Sequence, residues 1–255
     1  MIFYKIELVI IYTIFMNKPI PIQVNFKDVR TVRQKVNNMN VYNSFIDDNK
    51  KEFNKNINQK EFIRTLDELS ISFDEFWIKC REDTIFAKLA AGRLSICASR
   101  QGGKDEKEQL RLCNIVALKC GVNIKNLSAT ALRCTKDGKI ITNKKMKQCN
   151  ISKNVCLKSF DAKITGKCTG YISAKISFGN GGHQDNVFEE LDTMAELWRT
   201  FKKDSEDLLI LLIDTDLIDK FENLGKKYKE CANIYIFNHY DFQKFIIDKY
   251  YKESI

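Results

Sequence analysis

From about residue 186 the sequence switches repeatedly between helical and extended patterns. A helix-period stretch at about 186–202 leads into the strongly apolar run DLLILLIDT at 207–215. A helix at about 216–230, a strand NIYIFN at 233–238 and a helix from Asp241 follow. A strand–helix–strand crossover returns the chain in the same direction and makes parallel pairs. Before them come candidate strands at 129–134, 138–142, 157–164 and 171–178, in antiparallel succession. The expected fold is α/β: a mixed β-sheet flanked by helices, with a mainly helical N-terminal region.

That helical region is expected over residues 1–98, and the sheet-bearing core over 99–255. Residues 17–58 are polar and Asn-rich with weak periodicity. From Gln59 to about Arg100 the pattern is helical. Ser72 and Glu75 have capping-box spacing, and Phe76, Cys80, Phe86, Leu89 and Leu94 recur at intervals of about three and four. A further helix is expected from Lys104 to Cys120, stopped by Gly121. No internal repeat is visible.

Charge narrows the partners. The 255-residue chain is 44% apolar and 29% charged, with 42 basic against 33 acidic residues. From Arg133 to Lys175 there are 11 basic residues and two acidic ones, Asp137 and Asp161, a local excess equal to the whole chain's +9. Such a field suits a polyanion such as nucleic acid; a solvated lysine-rich loop is the other reading. Nine cysteines without a CxxC pair, and only two histidines, argue against structural zinc. Cys80, Cys97 and Cys113 read as small core residues on helix faces. A reducing compartment is expected, and the assignment is cytoplasmic. The apolar stretch 1–16 is interrupted by Lys5 and Glu7 and is too short for a bilayer span, so no membrane is expected. Met16 as an alternative start, or a buried N-terminal strand, accounts for it. No phosphate-cradling or dinucleotide-binding glycine motif occurs.

The stretch SFDAKITGKCTGYISAKISFG, 159–179, carries the most chemistry. Gly166 and Gly170 bracket a turn centred on Lys167. Strand alternation then puts Phe160, Ala162, Ile164, Ile172, Ala174 and Ile176 on an apolar face. Ser159, Asp161, Lys163, Ser173, Lys175 and Ser177 make the polar face. Asp161 lies opposite Ser173 and diagonal to Lys175, within a lysine's reach. A carboxylate and an amine converging on one point suit phosphodiester cleavage: the acid holds a metal and the lysine stabilises developing negative charge. An ordinary surface pair on an amphipathic hairpin is the alternative.

An acid on one strand, a short hairpin and x-x-Lys on the next resembles the PD-(D/E)xK nuclease superfamily. Asp161 matches the first acid and Ser173-Ala174-Lys175 the (D/E)xK. The phrases SRQGGKDE at 99–106 and GNGGHQDNVFEE at 179–190 also resemble type II restriction enzymes. The resemblance covers about residues 99–238. It implies a restriction-endonuclease-like core over 99–255 and Mg2+-dependent, sequence-specific cleavage of double-stranded DNA. It also implies a homodimer and a companion DNA methyltransferase of the same specificity. Asp161, Lys175, Ser173 and Glu106 are the catalytic candidates, with Asp161 and Glu106 as metal ligands. Arg100, Gln101, Lys104, Lys163, His183, Gln184, Asp185 and Asn186 are candidates for DNA contact. Gln184 and Asn186 have side chains suited to adenine, and Asp185 or Asn186 is also expected to cap a helix at Val187.

Two departures stand out. Phe160 occupies the family's proline position, and Ser173 that of its second acid. Glu106, on a helix face with Leu110, Cys113 and Ala117, is the expected substitute, with Glu108 behind it. An alternative register takes Asp137 as first acid and Asp161-Ala162-Lys163 as the acid-x-Lys strand. Two other classes remain: a basic DNA- or RNA-binding protein without catalysis, and a Cys–His nucleophile enzyme. The apolar residues Phe76, Trp77 and Phe86 are expected to offer surface for a dimer interface or a DNA clamp.

Overall fold

The computed structural model describes residues 18–127, 132–150, 156–179 and 182–252. They form two compact units, Asn25–Gly102 and a second made of Gly103–Ile255 together with the segment ending at Val24. That segment docks by its backbone: Ile22 N–H donates to Gln243 Oε1 at 2.7 Å and Val24 N–H to His239 Nε2 at 3.1 Å.

The Asn25–Gly102 unit is helical: α1 (Phe26–Ile46), α2 (Lys50–Asn56), α3 (Gln59–Leu69), α4 (Phe73–Glu82) and α5 (Thr84–Leu94), then a 3-10 turn, Ala98–Gln101. The asparagines that obscure the periodicity have a local task. Asn25, Asn49 and Asn58 cap α1, α2 and α3, each accepting from a backbone N–H in the first turn. The expected Ser72–Glu75 capping box starts α4. Helix α1 gave no apolar rhythm because its middle packs through polar groups. Gln34 donates to Ser95 Oγ and accepts from Ala98 N–H, and Asn37 donates to Ile96 O. The core is aromatic: Phe45, Phe53, Phe62, Phe76 and Trp77 are buried, with Phe73 and Phe86 packed against them. Phe76 and Trp77 therefore serve the unit's own interior rather than offering a surface for a partner.

The second unit holds a five-stranded sheet in the order β1-β5-β6-β7-β8. Its strands are β1 (Val122–Asn126), β5 (Ala162–Gly166), β6 (Gly170–Ser177), β7 (Leu208–Thr215) and β8 (Ile234–Phe237). The first three pair antiparallel and the last three parallel. The sheet is mixed, as expected. Helices α6 (Gly102–Lys119) and α10 (His239–Tyr250) pack on one face through Leu110, Cys113, Ala117, Phe242 and Ile246. Helices α8 (Gly182–Phe201) and α9 (Ile218–Tyr228) cover the other through Leu191, Ala195, Trp198, Leu224 and Tyr228. With helices on both faces, β7 is apolar at six consecutive positions, 208–213, all buried.

A second sheet has the order β3-β2-β4, and Cys134, Leu132 and Ile140 from it join the core on the α8 side of the first. It contains β2 (Leu132–Thr135), β3 (Ile140–Thr142) and β4 (Cys156–Ser159), with a short helix α7 (Asn143–Gln148) after β3. The expected strand 157–164 is thus two strands in two sheets, divided at Phe160–Asp161. The expected residues 129–131 lie outside the described residues, as does the apolar stretch 1–16. The sequence reading passed over β1, whose few apolar positions alternate with polar ones at a sheet edge. Cys97 lies in a loop, half-buried against Ser99 Oγ, and not on a helix face.

Candidate active site

The hairpin of β5 and β6 has the register expected from its glycines: Ala162 pairs with Ile172, Lys163 with Tyr171 and Ile164 with Gly170. Gly166 turns the chain at φ +107°, and a Cβ at Gly170 would lie 2.3 Å from the Leu208 carbonyl oxygen of β7. Ala162, Ile164, Ile172 and Ala174 fill the core beneath α6 and α10. Phe160 does not join them. It lies on the opposite face, packed on Tyr171 and Trp198 with ring centroids 4.8 and 6.2 Å away. The flip follows from the break between β4 and β5, which interrupts the two-residue alternation.

The face expected to be polar is not a solvent face. Ser173 is 1% exposed and Ser177 is buried, because α8 closes over them. Asp161 sits where β5 parts from β6. Its own N–H still donates to Ile172 O at 2.9 Å, and its Oδ2 accepts from Ala174 N–H at 2.8 Å. The carboxylate thus extends the ladder by one rung beyond the paired residues. Burial pushes the Asp161 carboxyl above the usual range; Lys175 and the Ala174 amide draw it down, and Glu190 pushes it further up.

Glu190 is the residue that the sequence reading missed. It lies on α8, at the margin of the apolar stripe Phe188, Leu191, Met194, Ala195 and Trp198. Its Oε1 is 3.7 Å from Lys175 Nζ, with the two side chains 15% and 19% exposed. Its other oxygen pairs with Lys158 of β4. Oε1 itself is buried and has no hydrogen-bond partner among the described residues. An acid flanking an apolar helical stripe is usually solvated, so only the packing of α8 on β6 marks this one.

Glu106 is half-buried on α6, a helix that packs on the other face of the sheet. The buried polar residues near it on α6 are Asp105 and Gln109. Gln109 Nε2 donates to Asp214 Oδ2 at 2.6 Å, and His239 Nδ1 lies 2.7 Å from Asp214 Oδ1. His239 Nε2 accepts from Val24, so Nδ1 carries the proton and donates to Asp214. Cys113 donates to the His239 carbonyl, but burial and then Asp214 push its thiol well above the ordinary range, which suits a core residue and not a nucleophile. Glu108 is engaged by Arg111 of its own helix.

The other candidates are dispersed. Lys163 is half-buried, 6.0 Å from the Tyr171 ring centroid and opposite Lys125 of β1. Asp137 turns between β2 and β3, ion-paired with Lys139 and hydrogen-bonded by Thr135, which hold its carboxyl down at about 2. That local pairing engages the first acid of the alternative register. Lys104 and Asn186 are exposed, and Gln101 belongs to the 3-10 turn of the helical unit. Helix α8 begins at Gly182, so Asn186 lies within its first turns instead of capping it at Val187. The side chains of Arg100, His183, Gln184 and Asp185 lie outside the described residues. Comparison with known proteins yields no match to a protein family, a curated protein or a solved structure.

Proposed function

We propose that the sheet-bearing unit is a Mg2+-dependent endonuclease of the restriction type, hydrolysing phosphodiester bonds in double-stranded DNA. The observation that carries this reading is the convergence of Asp161, Glu190 and Lys175 under α8, with a buried Glu190 oxygen that has no hydrogen-bond donor among the described residues. Among the described residues no group of three or more carboxylate, histidine or cysteine side chains gathers to hold an ion. The two carboxylates of Asp161 and Glu190 fit magnesium, which commonly takes one or two carboxylates and fills its shell with water and substrate phosphate. Asp161 and Glu190 are the ligands of this site. Glu190 replaces Glu106 in that role and stands in for the acid missing at Ser173.

A metal held by Asp161 and Glu190 would supply Lewis-acid chemistry to the phosphodiester. The chain's own residues do the positioning. The Ala174 amide fixes one Asp161 oxygen and leaves the other to face the site. Lys175, anchored on a central strand, places a charge where the transition state accumulates negative charge. The basic stretch 133–175 supplies the field that draws DNA in. Cutting both strands of a two-fold symmetric target calls for two such centres, so the active species is a homodimer.

Incubating the protein with plasmid DNA, with and without Mg2+, tests the reading. Discrete metal-dependent fragments are expected, lost in Asp161→Ala and Glu190→Ala while DNA binding persists. Cleavage by Asp161→Ala at the wild-type rate overturns the site. Tight DNA binding without cleavage by the wild-type chain replaces the enzyme with a non-catalytic DNA-binding protein.

A further inference from the structure

We propose that Lys158 is a tethered counter-ion that occupies Glu190 in the resting protein and gives way to the divalent metal. The inference rests on the metal-dependent reading of the Asp161–Glu190–Lys175 site. Three observations carry it. Glu190 faces two lysines, one on each oxygen: Lys175 from β6 and Lys158 from β4. The two differ in setting. Lys175 is 19% exposed on a central strand, whereas the Lys158 side chain is 68% exposed on the small sheet. Finally, the Glu190 side chain that the two lysines share is itself only 15% exposed, so both charges meet it at the edge of the packed interface.

The physics follows from that asymmetry. A pair of carboxylates under a helix suffers mutual repulsion and desolvation. A cation on a flexible stem relieves part of this without closing the site. An ion pair with one exposed partner is weak in water, so it yields readily to a divalent ion. Once released, the Lys158 ammonium remains beside a site that now holds metal and a DNA phosphate, a point charge for the backbone. The same lysine would then suppress metal binding before DNA arrives and favour the substrate afterwards.

Calcium or manganese binding to the full-length protein, followed by titration calorimetry, measures this apart from turnover. Lys158→Met keeps the aliphatic stem and removes the charge. It is expected to tighten the ion's Kd by about fivefold, the scale of one exposed ion pair. Lys163→Met removes an equal charge that has no carboxylate contact among the described residues and serves as the control for the general field. The gain from Lys158→Met should exceed that of Lys163→Met and should vanish in a Glu190→Gln background. Equal effects of the two lysine variants, or weaker binding in Lys158→Met, overturn the proposal. If neither wild type nor Lys158→Met binds either ion while both remain folded, the metal reading fails along with it. Binding that Glu190→Gln leaves intact moves the ion elsewhere and overturns the role of Lys158 alone.

Discussion

The two units bury different things. The helical unit, Asn25–Gly102, encloses an aromatic cluster, and its few buried polar side chains are neutral: Ser44, Thr65 and Ser95. The first two donate to carbonyls of their own helices, at Val41 and Glu61, and Ser95 bonds Gln34 and Asn38. The sheet unit buries Asp105, Gln109, Ser173, Ser177, His239 and Gln243 outright, and holds Asp161, Lys175 and Glu190 nearly so. Buried ionisable groups oppose folding unless they are paired and hydrogen-bonded. The helical unit is therefore organised for stability, whereas the sheet unit retains groups that stability alone would exchange for apolar ones. That excess of buried charge, more than the net charge, is what sets a candidate site apart from a core.

The comparison breaks most readily at Phe53, which touches the rings of Phe45, Phe62, Phe73, Phe76 and Trp77. Phe53→Ala is expected to destabilise by about 3–5 kcal/mol, as large-to-small changes in packed cores do. Calorimetric or denaturant unfolding reads this directly, and a loss below about 1 kcal/mol would show that the aromatic cluster is loosely packed. Lys175→Ala should act in the opposite sense. It should lower the cleavage rate at least a hundredfold, about 2.7 kcal/mol of transition-state stabilisation, and barely move the unfolding midpoint. A large shift in midpoint with cleavage intact would make Lys175 a structural residue.

Magnesium offers a smaller effect in the same unit. At ten times its Kd the ion should add about 1.4 kcal/mol to stability, a few degrees in midpoint. The gain should be absent in Asp161→Asn. Without metal the sign reverses. The Asp161 carboxyl is held above its unfolded value, so it contributes stability at low pH that is lost as pH rises through its folded pKa. Asp161→Asn should therefore unfold at a higher temperature than wild type at pH 7 and at the same temperature near pH 3, where both side chains are neutral. An equal difference at the two pH values would mean that the substitution acts through packing. Smallest of all is Lys244→Ala, which removes an exposed pair with Asp241 on α10 and should leave the midpoint within error.

Much of this architecture was legible in the chain because its signals are local. The capping box at Ser72, the apolar run of β7, the alternation of helix and strand after residue 186, and the glycines of the β5–β6 hairpin each act over a few residues. The hairpin register follows from its turn, which puts Asp161 and Lys175 on one side. What stayed hidden depended on partners far along the chain. Helix α1 lacked a readable stripe because its middle segment bonds to residues 95–98 through amides and hydroxyls. Phe160 changed faces because it lies in the break between β4 and β5, strands of two different sheets, where its N–H donates to Leu132 O. Glu190 stands 15 positions beyond Lys175 and reaches it only because α8 folds back over β6. Sequence thus determined the hairpin with its acid and lysine, the apolar strand β7 and the helix–strand alternation after residue 186. Tertiary structure alone decided which carboxylate joins them, since a side chain's neighbours across a packed interface are set by helix placement and not by its place in the chain.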